Sequence, residues 1–149
     1  AGRLAEDFPD TVIAYKDSSG NFENTKSVIA AAPEIAVFPG SETFLRQGME
    51  NGGAGCISAT CNINPAGIRH VFDVITGAKD GDLDQINNEM VTFRKNVEGY
   101  APIPAMKGIL ADKRGDARWR NVRPPLLSTS EKNTGNLIRA LGEMLKPVY

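Results

Sequence analysis

The chain has 149 residues, of which 41% are hydrophobic and 23% are charged, and its mean hydropathy is −0.27. These values are typical of a globular domain and argue against disorder or a membrane span. Seventeen basic and eighteen acidic residues leave a net charge of −1, so no overall positive field attracts nucleic acid or an anionic membrane. Residues 1–7 lack the apolar stretch of a secretory signal. We therefore expect a cytoplasmic protein that binds a small molecule.

The first predicted unit is a strand, a turn and a helix. Residues 11–16 are mostly β-compatible and are followed by a cluster of turn residues. Residues 22–32 carry apolar side chains at helical spacing, with Asn21 or Ser19 available as the N-cap and Pro33 ending the helix.

Two further units follow the same pattern. Residues 35–38 form a short apolar strand, after which Ser41 caps a helix that ends at Gly52. Residues 55–59 form the third predicted strand, and the next helix begins at Pro65. Short apolar strands that are each followed by a helix are typical of a parallel sheet covered by helices.

Beyond residue 66 the sequence predicts helices only, four in number, with a rigid connector over residues 118–130 between the last two. Three strands are too few to close a barrel or to form a stable open sheet. Residues 1–10 have the spacing of the end of a helix whose preceding strand is absent. We therefore expect the chain to be part of a larger sheet whose N-terminal half is missing.

Lys16 stands at the carboxyl end of the first predicted strand, where packing rarely requires a lysine. Strand alternation places it on the same face as Val12 and the small Ala14, which leaves room for a ligand. If this face looks into a barrel, desolvation favours the neutral amine, which attacks ketones to form an imine, as in class I aldolases. Two structural alternatives remain: a lysine that extends into solvent, or an ion pair with Asp17.

The other residues that could be reactive or bind a ligand are expected to have structural roles. Cys56 and Cys61 lack metal-ligand spacing and are expected to be small buried residues, and no metal site is predicted. His70 lies in an amphipathic stretch and is expected to be an ordinary helix residue. The glycine-rich residues 52–55 follow a helix, which favours a tight helix-to-strand turn over a dinucleotide or phosphate loop.

Several segments, in chain order, resemble one family. Residues 15–21 resemble the segment around the Schiff-base lysine of the dihydrodipicolinate synthase and N-acetylneuraminate lyase family. Residues 38–42 and 52–62 are similar to that family's glycine-acidic loop and the strand that follows it. Residues 104–107 and 123–126 resemble its P-x-K helix and R-x-P-L connector, so the resemblance covers nearly the whole chain.

The resemblance implies an α/β fold that is the C-terminal part of a (β/α)₈ TIM barrel. Residues 1–65 would supply barrel units six to eight, and residues 66–149 the last barrel helix and a helical C-terminal extension. Lys16 would form the imine with pyruvate, without a metal or an organic cofactor. The implied substrate pocket is bordered by four residues: Gly40, Ser41, Glu42 and Ile57. Glu42 would stand near the aldehyde's tail, and the enzyme would be a homo-oligomer, either a tetramer or a dimer.

The implied reaction forms or cleaves a carbon-carbon bond between pyruvate and an aldehyde. Ala59 stands where sialic-acid lyases typically have a serine, which argues against a sialic-acid tail. The family's relay tyrosine has no candidate here, since Tyr15 points to the face opposite Lys16. Two alternatives therefore remain open: a 2-keto-3-deoxy sugar acid aldolase or dehydratase of the same family, and a non-catalytic half-barrel that is active only with its N-terminal half.

Overall fold

The computed structural model describes residues 1–145, and the last four residues of the predicted helical extension, 146–149, lie outside this range. Within it the chain forms two strands, β1 (Ala14–Asp17) and β2 (Ala36–Pro39). The α-helices, in chain order, are α1 (Gly2–Asp7), α2 (Phe22–Ala31), α3 (Leu45–Glu50), α4 (Pro65–Ile75), α5 (Leu83–Glu98), α6 (Pro102–Arg114) and α7 (Glu131–Leu141). Short 3₁₀ turns cover Glu42–Phe44, Ala59–Asn62, Ala117–Arg120 and Gly142–Met144.

The helix boundaries follow the capping residues in the sequence. The Asn21 side chain accepts a hydrogen bond from the Glu23 backbone N–H at 3.1 Å and so caps α2. Helix α4 begins at Pro65, as predicted, because proline needs no N–H partner in the first helical turn. Ser41 caps a 3₁₀ turn that continues into α3, whereas the sequence predicts an α-helix at once. Among the described residues after 66 the structure has helices and 3₁₀ turns but no strand, and the last turn ends at Met144.

The two strands pair in parallel, with Lys16 opposite Phe38 and Asp17 opposite Pro39. Strand β1 is shorter than predicted at its start, because it begins at Ala14 instead of Thr11, and it extends one residue further to Asp17. Both strands therefore end at the same edge of the sheet, where the loops toward α2 and α3 begin.

The prediction of a third strand over residues 55–59 is wrong for the described chain, whose sheet has two strands. This segment does run beside β2, since the Ala54 N–H donates to the Val37 carbonyl at 2.9 Å and the Ile57 N–H to the Pro39 carbonyl at 3.1 Å. Between these bonds Gly55 has a φ of +144°, a backbone conformation outside the β region of ordinary residues. The regular ladder is interrupted there, and a 3₁₀ turn begins at Ala59.

The chain divides into two compact units, of which unit 1 comprises Ala1–Ser58 and Phe72–Asp80. Its core is built from α1, β2 and the segment between α2 and β2, with four buried side chains: Ala5, Ala32, Ile35 and Val37. Tyr15 packs against this core from β1, together with Val12, Val28 and Ile29. Because side chains alternate along a strand, packing of Tyr15 on the core turns Lys16 to the other face.

Unit 2 comprises Ala59–Val71 and the residues from Gly81 onward. Helices α5, α6 and α7 meet in a core whose fully buried members include Ile63, Phe93, Val97, Ile109 and Leu137. Most of these buried side chains come from α5, α6 and α7, where apolar residues recur at helical spacing, whereas Ile63 precedes α4. The hydrogen bond from Arg120 Nη1 to Thr134 Oγ1, at 3.0 Å, adds to the packing.

Candidate active site

Strand β1 ends with two charged residues on opposite faces. Lys16 is exposed together with Ala14, whereas Asp17 is only 4% exposed. Within the described residues Lys16 makes no ion pair or side-chain hydrogen bond. The alternative of an ion pair between Lys16 and Asp17 is therefore absent from the structure, and the ammonium group is open to solvent on the face of the small Ala14.

The Asp17 carboxylate is held by the loop and helix that follow β1. Its Oδ1 accepts a hydrogen bond from the Ser19 backbone N–H at 2.9 Å, and its Oδ2 accepts one from Thr25 Oγ1 at 2.6 Å. Burial raises the pKa of the Asp17 carboxyl, but the hydrogen bonds from Thr25, Ser19 and Asn24 together outweigh burial and hold the pKa below its ordinary value of 3.8. Asp17 is thus an ionised anchor for the loop beside Lys16.

The lowered pKa of Asp17 predicts a pH dependence of stability. A carboxyl whose pKa is depressed by folding stabilises the protein fully above its ordinary pKa, and this stabilisation is lost as the pH falls through the folded-state value. We expect the Asp17→Asn variant of the full-length protein to be less stable than the wild type near neutral pH, with the difference shrinking as the solution is acidified. Urea midpoints measured between about pH 7 and about pH 3 test this. A difference that stays constant over this range would contradict it.

Gly40, directly after β2, lies against the end of β1. Its N–H donates to the Asp17 carbonyl at 2.6 Å. A Cβ at this position would stand 2.8 Å from that carbonyl oxygen and 3.2 Å from the Ser18 Cα. The close approach of the two backbones therefore requires glycine here. It brings the loop after β2 to within hydrogen-bond distance of the strand that carries Lys16.

Ser41 and Glu42 are neighbours in the loop after β2, but their side chains bond to different partners. The Ser41 hydroxyl is 2.9 Å from Thr43 Oγ1 and accepts from the Thr43 N–H at 3.3 Å, which begins the 3₁₀ turn. Glu42 is 0% exposed, and its Oε2 accepts a short hydrogen bond from Ser58 Oγ. The loop after β2 is thereby joined to the segment that contains Ile57.

Of the five residues predicted for the site, four lie in two segments that the structure joins. Gly40, Ser41 and Glu42 follow β2, and Ile57 lies in the neighbouring segment, with its side chain 48% exposed. Lys16 is at the end of the adjacent strand, but its side chain makes no hydrogen bond or ion pair with the other four.

Three residues have structural roles at this edge that the sequence does not predict. The sequence suggests Asp17 only as a partner for Lys16, and it suggests no role for Thr25 or Ser58. The sequence carries a signal for Ser58, because it stands beside Ile57 in a segment that resembles the family. For Thr25 the signal is weak, since a threonine in a first helical turn is common without such a contact.

The cysteines differ from expectation, because Cys56 and Cys61 are both half-buried instead of fully buried. His70 is exposed on α4, as expected of an ordinary helix residue. In residues 1–145 no three histidine, cysteine, aspartate or glutamate side chains gather as metal ligands. Across the same residues, no helix is both long and apolar enough to cross a bilayer.

Comparison with known proteins decides the family. The model of the dihydrodipicolinate synthetase family matches residues 1–144. The chain belongs to this family. The predicted family membership is thereby confirmed.

Individual members of the dihydrodipicolinate synthetase family support the same conclusion. An uncharacterized DapA-like lyase from Chloroflexus aurantiacus is 30% identical over 122 residues, which make up 82% of this chain and 40% of that protein. The crystal structure of dihydrodipicolinate synthase from Agrobacterium tumefaciens str. C58 matches with a TM-score of 0.78 at 27% identity, over 97% of this chain and 47% of that one.

A third match is a prophage protein of the dihydrodipicolinic acid synthase family from E. coli K12, whose crystal structure is a complex with pyruvate. It covers 97% of this chain and 51% of that one with a TM-score of 0.78, and at 18% identity it shows the fold alone. The chain thus has the α/β fold of part of these enzymes and spans about half the length of the relatives it matches. Its assignment to barrel units six to eight stays a prediction.

Proposed function

We propose that this chain supplies the imine-forming lysine, Lys16, and one side of the substrate pocket of a pyruvate-dependent class I aldolase that works as a carbon-carbon lyase or synthase. One observation carries the proposal. The ammonium group of Lys16 is unpaired at the carboxyl end of β1, on a face cleared by Ala14, while the neighbouring carboxylate is occupied by Thr25 and Ser19. A lysine without an ion-pair partner is accessible to a carbonyl substrate.

The proposed reaction between pyruvate and an aldehyde involves no oxidation or reduction. After the ammonium group of Lys16 gives a proton to a base, its Nζ attacks the C2 carbonyl of pyruvate, and loss of water from the carbinolamine gives a protonated imine. A base removes a proton from C3, and the electron pair of that bond forms the double bond of an enamine. The enamine carbon then bonds to the carbonyl carbon of an aldehyde, whose oxygen takes up a proton. Hydrolysis of the imine releases the product and restores the amine, and cleavage follows the same steps in reverse.

The pocket residues are proposed from the segments beside Lys16. Gly40 and Ser41 would border the keto acid, because the Gly40 backbone bonds directly to the end of β1. Ile57 would lie beside the pyruvoyl group, since its apolar side chain is 48% exposed in the segment next to β2. The mechanism needs neither a metal nor an organic cofactor from these residues.

The test of the function is exchange of the methyl protons of pyruvate for deuterium, followed by NMR. Reversible formation of the enamine at Lys16 removes and restores protons at C3, so the full-length protein is expected to catalyse this exchange without any aldehyde. The Lys16→Arg variant is expected to lose it. A full-length protein that binds pyruvate but leaves its methyl protons unexchanged would refute the proposal.

The proposed enzyme also needs a second half-barrel, since this chain spans about half the length of its relatives. Strand β1 leaves Lys16 and Ala14 uncovered, and unit 1 exposes large apolar side chains: Ile13 at 67%, Leu4 at 56%, Phe8 at 55% and Ile57 at 48%. We propose that a further half-barrel covers this surface and supplies the proton relay, in a cytoplasmic homo-oligomer. The same uncovered surface is also expected of the second candidate function, a half-barrel that is inactive by itself.

We therefore expect residues 1–149, expressed alone, to be poorly soluble or associated with a partner, and to catalyse no exchange. Uncovered strand edges and apolar faces favour association. Size-exclusion chromatography and the NMR exchange assay measure both properties. A soluble monomer with one cooperative unfolding transition and full activity would contradict the requirement for a second half. Exchange that appears only after the remaining half is added would show that the two halves form the active enzyme together, and no exchange from the two halves together would contradict the proposed function.

A further inference from the structure

Glu42 is an acidic residue that is fully buried beside the proposed pocket, and its burial needs an explanation. It is 0% exposed at the start of the 3₁₀ turn after β2, and Ser58, sixteen residues further along the chain, donates a short hydrogen bond to it. A carboxylate removed from water is costly unless hydrogen bonds compensate for the lost hydration. Because Glu42 is buried, its acidic side chain does not serve to keep the surface soluble. Its hydrogen bond with Ser58 instead joins two segments of the chain.

Both ends of this hydrogen bond adjoin residues of the proposed pocket. Glu42 directly follows Ser41, and Ser58 directly follows Ile57. The backbone of each segment is fixed separately to a strand, through Gly40 to β1 and through Ile57 to β2. The side-chain bond joins the two segments to each other, beyond the points where the backbone bonds end. A side-chain hydrogen bond between the two segments limits how far they can separate, so this link restrains both of them.

We propose that Glu42 is a positioning residue, which acts through Ser58 to hold Ser41 and Ile57 at a fixed separation around the bound keto acid. Its carboxylate is turned into the protein toward Ser58, so it serves the pocket without touching the substrate. The inference rests on the proposed function, because it takes Ser41 and Ile57 as the walls of the pyruvate site. It changes the role that the sequence suggests for Glu42, from contact with the aldehyde's tail to support of the pocket.

The test uses the full-length protein and pyruvate, with methyl-proton exchange as the readout. The Ser58→Ala variant removes the hydroxyl that donates to Glu42 and leaves Gly40, Ser41 and Ile57 unchanged in sequence. We expect the half-saturating pyruvate concentration to rise about tenfold, with less than about a twofold change in the maximum exchange rate, because the restraint acts on binding while Lys16 is untouched. The Glu42→Gln variant keeps an acceptor oxygen for Ser58, and we expect an intermediate rise.

The matched control is another buried carboxylate of unit 1. Asp73 is 4% exposed and is paired with Lys79 at 3.0 Å, outside the proposed site. The Asp73→Asn variant is expected to lower the thermal midpoint without raising the half-saturating pyruvate concentration. If Ser58→Ala behaves like this control, the positioning role is overturned while the proposed function stands. If the wild-type protein catalyses no exchange, the proposed function fails and this role fails with it.

Discussion

The Lys16→Arg variant of the full-length protein is expected to lose pyruvate-dependent turnover by a factor of at least about 10³. Arginine keeps the positive charge and most of the length, but its guanidinium group stays protonated and cannot form an imine. Because the Lys16 side chain is exposed and unpaired in the described chain, the substitution removes no stabilising contact. The thermal midpoint is therefore expected to stay close to that of the wild type.

A second lysine provides the matched control. Lys26 is exposed on α2, in the same unit and ten residues further along the sequence. The Lys26→Arg variant is expected to keep the wild-type rate, because this exposed residue lies on a helix and is not among the residues proposed for the pocket. Retention of turnover by Lys16→Arg, or equal losses in the two variants, would rule out Lys16 as the nucleophile.

The Gly40→Ala variant is expected to destabilise the full-length protein by about 2–3 kcal/mol and to impair activity. The added Cβ would meet the Asp17 carbonyl oxygen at 2.8 Å and the Ser18 Cα at 3.2 Å. Both are backbone atoms, so the clash is relieved only if the loop after β2 moves away from β1. That movement lengthens the hydrogen bond from the Gly40 N–H and displaces Ser41. Chemical denaturation and the half-saturating pyruvate concentration measure the two effects.

Gly99 is the matched control for this substitution. At the end of α5 its φ is −65°, which alanine adopts freely, and an added Cβ would lie 3.4 Å from the Asn96 carbonyl oxygen. The Gly99→Ala variant is expected to change the free energy of unfolding by less than about 0.5 kcal/mol. Equal stabilities of the Gly40 and Gly99 variants would show that the two strand ends do not require the close approach seen in the structure.

The parts of the fold that the sequence predicts well are those set by local chemistry. Asn21, Ser41 and Pro65 mark three helical starts, because capping and the fixed φ of proline act within a few residues of the chain. The third strand is predicted wrongly for the opposite reason. An apolar run becomes a strand only if its backbone pairs regularly, and Gly55 interrupts the pairing with β2.

In the candidate site, too, the sequence predicts the features set by local chemistry and not the contacts between distant residues. The placement of Lys16 on the face opposite Tyr15 and the buried Asp17 follows from strand alternation, so the sequence predicts this face once the strand is found. The bonds from Thr25 to Asp17 and from Ser58 to Glu42 span eight and sixteen residues. Contacts at such separations depend on how the helix and loops pack, which no local pattern specifies. The burial of Glu42 could not be foreseen for this reason.

Borohydride reduction in the presence of pyruvate, followed by peptide mass spectrometry, tests the central claim most directly. Reduction converts the imine into a stable secondary amine, so the lysine that formed it carries the three carbons of pyruvate. We predict this adduct on the peptide that contains Lys16 in the full-length protein, and its absence when pyruvate is omitted or Lys16 is replaced by arginine. An adduct on Lys26 or any other lysine, or no adduct at all, would contradict the assignment of Lys16 as the imine-forming residue.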